Sequence, residues 1–270
     1  RTRMWVDRSF SISGAGTVVT GTLVDGPISA GDSLILWPDG VEVRVRGLQT
    51  HERGADRIEP GNRAAVNLAG IDRNTVTRGA MLGLADQWRP TTRFLARLRV
   101  VRSCDEGLRD RGAFHLHAGS GAWSARLRLL AGTEITESGS ALVTVDQPIP
   151  LRAGDRFVLR DVGRRSVVAG GIVSDPHPPA SGRRLRDAVA VLESADGADQ
   201  TAAALLEIRG REQLDALDAD SGGGSPRHAV VVGTTALAPA EAERLVAEAA
   251  GLLESFHEEF PETRGRRLVT

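Results

Sequence analysis

The first part of the chain is written in short apolar runs at strand period. Thr17 to Leu23, Ser33 to Leu36, Val41 to Val45 and Arg63 to Leu68 are aliphatic or β-branched stretches, broken at close intervals by glycine, proline and aspartate. That spacing predicts a closed or sandwiched all-β unit over residues 1–86. The breaks carry turn chemistry: Asp25-Gly26, Ala30-Gly31-Asp32 and Pro38-Asp39-Gly40 supply residues that tolerate turn dihedrals. Gln87 to Pro90 reads as a joint. A second strand-rich block, residues 87–178, follows with Phe94 to Val101, Ala113 to His117, Ser124 to Leu130, Ser140 to Val145, Phe157 to Asp161 and Ser166 to Val173. In Ala125-Arg126-Leu127-Arg128-Leu129 the alternation is plain, one face apolar and the other charged. Pro176, Pro178 and Pro179 end this sheet.

From Arg183 the period changes. Leu185, Val189 and Leu192 recur at helical spacing, as do Ala202, Leu205, Leu206 and Ile208. Asp218 to Pro226 reads as a glycine-rich loop, Ala229 to Val232 as a short strand, and Ala240 to Phe256 as an amphipathic helix entered through Pro239. Helices closed by a short strand pair predict a small winged-helix-like unit over residues 179–270, incomplete at Thr270. The fold class expected is mainly β, with two consecutive barrel-type units followed by this small α-rich domain.

A length of 270 residues suits two or three compact domains. Hydrophobic content of 41% with 26% charge is that of a globular chain, and no stretch approaches the ~18 apolar residues of a membrane span. A membrane role is not expected. The single cysteine, Cys104, excludes an intramolecular disulfide and fits a reducing cytoplasm. The chain opens at Arg1 with strand formers and no charged-then-apolar leader, so it reads as an excised segment. Lysine and tyrosine are both missing from the sequence, and all 34 basic residues are arginine, which a GC-rich genome explains; arginine content alone is therefore no evidence of RNA binding. Its distribution says more than its total. Residues 1–182 hold 24 Arg against 19 acidic residues, or +5, whereas 183–270 hold 10 against 16, or −6. The first part suits a polyanion better than the second.

The glycine-rich stretch Gly14 to Gly21 has P-loop spacing between Gly16 and Gly21, but Thr22-Leu23 stands where that loop needs Lys and then Ser or Thr. Val19 occupies the third glycine of a dinucleotide fingerprint, so a hairpin is the better reading. His115 and His117 flank one residue of a strand and share a face, yet no third metal ligand is near in sequence. There is no nucleophile elbow and no HExxH. No catalytic role is expected for this chain by itself, and a free-standing barrel enzyme finds no constellation to support it.

Val6-Asp7-Arg8-Ser9-Phe10-Ser11-Ile12-Ser13-Gly14-Ala15-Gly16-Thr17-Val18-Val19-Thr20-Gly21-Thr22-Leu23 resembles the opening of the second domain of translational GTPases of the elongation factor Tu type. Val43 to Gln49, Gly61 to Leu68 and Arg78-Gly79 continue the match. Phe157 to Asp161, Gly163-Arg164-Arg165 and Ala169-Gly170-Gly171 are similar to the closing strands of the third domain. Asp7-Arg8 followed by Ser-Phe, with Arg63, narrows the resemblance to the selenocysteine-specific elongation factor. The Phe256-His257 helix end before Pro261 is also similar to that factor's C-terminal extension. The alternative within the superfamily is another elongation factor Tu or initiation factor 2 gamma-like protein, which an acidic or neutral pair at positions 7 and 8 would have favoured.

The resemblance implies two elongation-factor-type barrels that grip selenocysteyl-tRNA. Asp7, Arg8 and Arg63 would form the aminoacyl pocket, and Arg160, Arg164 and Arg165 would meet the tRNA backbone. A selenol is more acidic than a thiol or hydroxyl, so selenocysteine is anionic at neutral pH where its serine precursor is neutral. A partly buried guanidinium senses that difference through charge-assisted hydrogen bonds of about 1.5–3 kcal/mol, and loses its partner against serine. GTP and Mg would belong to an upstream GTPase domain, the ribosome would be a partner, and a C-terminal extension would reach a messenger RNA hairpin to recode UGA.

Overall fold

The computed structural model describes residues 1–261 except 13, 15, 105 and 181. Ser13 and Ala15 of the stretch resembling elongation factor Tu, and residues 262–270 of the C-terminal unit, lie outside the described residues. The first unit is built from β1 (Arg3–Ile12), β2 (Gly16–Asp25), β3 (Ile28–Ser29), β4 (Ser33–Trp37), β5 (Val41–Thr50), β6 (Arg53–Ala55), β7 (Arg57–Ile58), β8 (Arg63–Ala69) and β9 (Met81–Gly83). Its main sheet runs β4-β9-β1-β2-β8-β5, and β5 pairs back onto β4, which closes a barrel. Alternation makes this possible: Val43, Val45, Val66 and Leu68 point inward with Met4, Val19, Leu34 and Leu36, while their neighbours face solvent.

The second barrel has β10 (Pro90–Val100), β11 (Phe114–Ala118), β12 (Gly121–Leu129), β13 (Ser138–Pro150), β14 (Arg156–Asp161) and β15 (Ser166–Asp175), closed in the order β10-β13-β12-β11-β14-β15. Its core holds Leu98, Leu116, Leu127, Val143 and Leu159, with Phe94 and Phe157 edge to face at 5.5 Å. Three residues from outside it, Trp5, Met81 and Trp88, belong to this same core. The joint expected at Gln87 to Pro90 is thus a packed one. Trp88 is buried, its indole N–H donating to the Thr2 carbonyl at 2.9 Å, and the guanidiniums of Arg3 and Arg152 lie over its ring at 4.8 and 5.7 Å. Arg3 also bridges the barrels, pairing with Asp25 at 3.1 Å and Asp155 at 2.7 Å. Close approach needs glycine here: a Cβ on Gly79 would sit 2.8 Å from the Gly121 Cα.

The C-terminal part is α1 (Gly182–Glu193), α2 (Gly197–Arg209), β16 (Arg211–Gln213), α3 (Leu214–Ser221), β17 (Val230–Val232), β18 (Thr235–Leu237) and α4 (Pro239–Glu259). A three-stranded sheet, β16-β18-β17, closes the helices. The segment from Asp218, read as loop in the sequence, begins inside α3, because Leu217 is buried in the small core with Leu205 and Leu206. The loop proper starts at Gly222, whose left-handed backbone caps the helix. Only α3 stands between β16 and β17 among the described residues, where a helix-turn-helix reader places two helices.

A buried polar cluster joins this part to the second barrel. Arg209, at the end of α2, donates to Asp175 of β15 at 2.7 Å and to Asp220 of α3 at 2.8 Å. Asp220 also receives Arg89 at 2.9 Å and lies 3.0 Å from Nδ1 of His177. Burial pushes the Asp175 carboxyl up against the pull of Arg209. Burial also works on Asp220, but the hydrogen bond and charge of His177, with Arg209 and Arg89, outweigh it and hold Asp220 below the usual carboxylate range.

Candidate functional site

The β1–β2 ladder slips at Asp7. Val6 lies opposite Gly21 and Arg8 opposite Thr20, so Asp7 is the extra residue of a bulge. Bulges re-aim side chains beside functional sites, and this one brings three strands together at the barrel rim. Asp7 Oδ1 accepts a hydrogen bond from the Thr20 hydroxyl of β2 at 2.7 Å. Its Oδ2 accepts from Nη2 of Arg63, the first residue of β8, at 2.6 Å. The Arg63 carbonyl in turn accepts from the Thr50 hydroxyl at 2.8 Å, which ties the end of β5 to the same place. Arg8 is exposed beside them. Partial burial raises the Asp7 carboxyl, but the Thr20 hydroxyl, the Arg63 guanidinium and the nearby Arg8 charge together hold it below the ordinary carboxylate range. Asp7 is therefore ionised at neutral pH, and it positions Arg63.

Of the two arginines expected in the pocket, the structure pairs Asp7 with Arg63. It also corrects the expected burial. The Arg63 side chain is 62% exposed against 22% for Asp7, so the guanidinium is open on one side in this chain. Thr20 was not singled out in the sequence, although its place one strand across from the bulge is what orients Asp7.

Arg160, Arg164 and Arg165 gather at the β14–β15 hairpin, but they are not equivalent. Arg160 donates from Nε and Nη2 to the Arg165 carbonyl at 3.2 and 2.9 Å, clamping the turn. Arg164 pairs with Glu106 and donates its backbone N–H to Asp161 at 2.9 Å. Arg165 is exposed at positive φ. The exposed Glu106 pair is worth little in water, which leaves Arg164 free to exchange it for a stronger anion. His115 lies opposite Arg160 in the ladder, and the two histidine rings are 6.4 Å apart. Burial, then the charges of His115 and Arg160, hold His117 below its usual range, so it is neutral at pH 7. Among the described residues no group of three or more potential ligands is placed to hold a metal.

Residues 95–180 match the family described as selenocysteine-specific elongation factor, beta-barrel domain, and residues 16–83 match elongation factor Tu domain 2. The selenocysteine-specific elongation factor of Escherichia coli is 34% identical over 207 residues, which is 75% of this chain and 32% of that protein. The factor of Desulfomicrobium baculatum is 32% identical over 220 residues, 78% of this chain and 34% of its own length. The two barrels belong to the selenocysteine-specific elongation factor family. The chain spans about a third of the length of these curated relatives. In three dimensions it superposes on a bacterial selenocysteine-specific elongation factor with a TM-score of 0.80 at 19% identity, covering 96% of this chain and 43% of that one. This second likeness extends beyond the barrels and concerns the fold alone. The elongation factor 1-alpha of Metallosphaera sedula, 31% identical over 199 residues, covers 65% of this chain and marks the wider superfamily.

Proposed function

We propose that this chain, in a full-length factor that carries a GTPase domain with its GTP and Mg, holds selenocysteyl-tRNA for delivery to the ribosome at recoded UGA codons in the cytoplasm. The domains in this reading are residues 1–86 and 87–178, the two barrels, and 179–270. The observation that supports it is the rim where Asp7, fixed by Thr20, presents Arg63 next to an exposed Arg8. A carboxylate that takes one edge of a guanidinium leaves the other N–H groups for an incoming anion, which serine does not supply. An ion pair left exposed is worth at most about 1 kcal/mol. Discrimination therefore requires that the bound aminoacyl end and the GTPase domain cover Arg63 and strip its water. Arg165 and the exchangeable Arg164 serve the tRNA backbone, which gives affinity with little sequence information. The messenger hairpin is assigned to the C-terminal extension of the full-length factor, and not to residues 183–270, which are net acidic and carry a single helix between β16 and β17.

The test is ester protection. With this chain joined to a GTPase domain, the aminoacyl ester of selenocysteyl-tRNA should resist hydrolysis while that of seryl-tRNA on the same tRNA body does not. Arg63→Ala should erase the difference, a loss of about tenfold or more in selectivity from the 1.5–3 kcal/mol of a charge-assisted bond. Thr20→Val, which removes the hydroxyl that orients Asp7, should weaken selectivity by a smaller factor without touching the anion. Equal protection of both tRNAs by the unaltered protein would leave a general tRNA-delivery factor.

A further inference from the structure

We propose that Ser120, at the tip of a second-barrel turn, is a positioning residue for the aminoacyl rim: its hydroxyl pins the Val6–Asp7 peptide in the orientation from which Asp7 holds Arg63. This role rests on the aminoacyl reading of that rim, to which it adds a residue of the other barrel. Asp7 is the extra residue of the β1 bulge, so the β1–β2 ladder does not fix it as it fixes its neighbours. Its aim has to be set by contacts outside that ladder, and Val6 is where they arrive. The Val6 N–H donates to the Ala80 carbonyl at 2.8 Å. The Val6 carbonyl accepts from the Gly79 N–H at 3.0 Å and from the Ser120 hydroxyl at 2.6 Å, which occupies both lone pairs of the oxygen. That oxygen and the Asp7 nitrogen belong to one rigid peptide plane, so holding the oxygen from two directions holds the plane and leaves Asp7 fewer ways to turn. One anchor comes from the first barrel and the other from the second.

The approach is built into both turns. Ser120 sits with Gly119 between β11 and β12, where Ala118 pairs with Gly121, and Gly119 has φ 53°. Facing it, Gly79 has φ 94°, and a side chain there would run into the Gly121 backbone. Glycine at these positions lets the two turns meet closely enough for a serine hydroxyl to reach across. Arg78 returns the contact, its Nε donating to the Ser120 carbonyl at 2.9 Å. One residue before Val6, Trp5 packs against Gly119 and Trp123, so β1 is seated on the second barrel immediately ahead of the bulge. A turn serine ordinarily bonds the backbone of its own turn. This one is half-buried and bonds a carbonyl 114 residues away in sequence. The carboxylate–guanidinium pair on the first barrel is therefore aimed in part by the second.

The test has two readouts. In the whole 270-residue chain, NMR titration follows the Asp7 carboxyl, which Thr20 and Arg63 hold low against the upward push of partial burial. Ser120→Ala should move that titration up toward the ordinary carboxylate range, and Ser120→Thr, which keeps a hydroxyl, should leave it as in the parent. Arg3→Gln, which cuts the bridge between the barrels at Asp25 and Asp155, should not move it, so loss of this one hydrogen bond is told apart from a general loosening of the interface. With the chain joined to a GTPase domain, Ser120→Ala should also lower the preference for selenocysteyl-tRNA over seryl-tRNA in ester protection by about fivefold, the factor for one neutral hydrogen bond, and Ser120→Thr should restore it. An Asp7 titration identical in the parent and in Ser120→Ala, with thermal unfolding showing the variant folded, would overturn the proposal. So would a shift of equal size in Arg3→Gln. Equal protection of both tRNAs by the unaltered protein, with Asp7 still shifted in Ser120→Ala, would remove the aminoacyl reading and leave the hold of Ser120 on Asp7 established.

Discussion

Replacing Arg209 by alanine should undock the C-terminal helices from the second barrel at a cost of about 3–5 kcal/mol, the range for deleting one partner of a buried ion pair. The guanidinium is 9% exposed and lies between Asp175 and Asp220, which are 0% and 1% exposed. Removing it leaves two carboxylates in a place where neither can be solvated. Hydrogen exchange should report this as lost protection in α2 and α3, around Leu205, Leu206 and Leu217, with protection in the barrel strands retained. Arg209→Lys should recover only part of the loss, since a point charge does not reproduce the fork that reaches both carboxylates. Full protection of α2 in the alanine variant would mean that the small apolar core, and not the ion cluster, fixes the junction.

The same substitution changes how the junction responds to pH. Burial already raises Asp175, so its contribution is present at low pH and fades as pH rises through its folded value. Asp220 is held low, so its contribution is present above the ordinary carboxylate range and fades as pH falls through its folded value. In the unaltered protein these opposing slopes share one arginine. Without Arg209 the upward push on Asp175 is opposed mainly by the His177 backbone N–H, 2.8 Å from its Oδ1, and α2 protection should improve as pH falls from neutral toward the carboxylate range.

Much of the barrel architecture was legible because alternation fixes faces. In Arg63 to Leu68 and Ala125 to Leu129 the residues that alternate in sequence are the ones that alternate in burial. The aminoacyl rim was legible as a set of residues, Asp7, Arg8 and Arg63, but not as a geometry. A single-residue bulge decides that Asp7 meets Arg63, and no local pattern announces a bulge at that position. Helix α3 was missed because it is short, and its glycines follow it where they looked as though they interrupted it. The Arg209 cluster was invisible for another reason. Its members come from four separate segments, and an arginine or aspartate looks solvated until the fold buries it. Likewise, nothing in the sequence assigned Trp5 to the core of the other barrel.

That assignment sets the second large effect. Trp5 emerges from β1 of the first barrel yet is 7% exposed within the second barrel's core, edge to face with Trp123 at 6.2 Å and 63°. Gly119 lies directly against it, and a Cβ at that position would come within 2.3 Å of the indole. Trp5→Ala empties this socket. The cavity and the lost transfer energy together should cost about 3–5 kcal/mol, of which the edge-to-face pair accounts for about 0.5–1.5 kcal/mol. Because the indole reaches from a strand of the first barrel into the core of the second, the loss falls on their coupling. Calorimetry should show one barrel transition in the parent and two in the variant, the lower one shifted down by about 10 °C. A double-mutant cycle sharpens the assignment. Gly119→Ala should be strongly destabilising in the parent, where the methyl meets the ring, and much milder in the Trp5→Ala background, where only the positive-φ strain remains. If the two changes were additive, the indole and Gly119 would be independent, and the barrels would be held instead by the Arg3 bridge to Asp25 and Asp155.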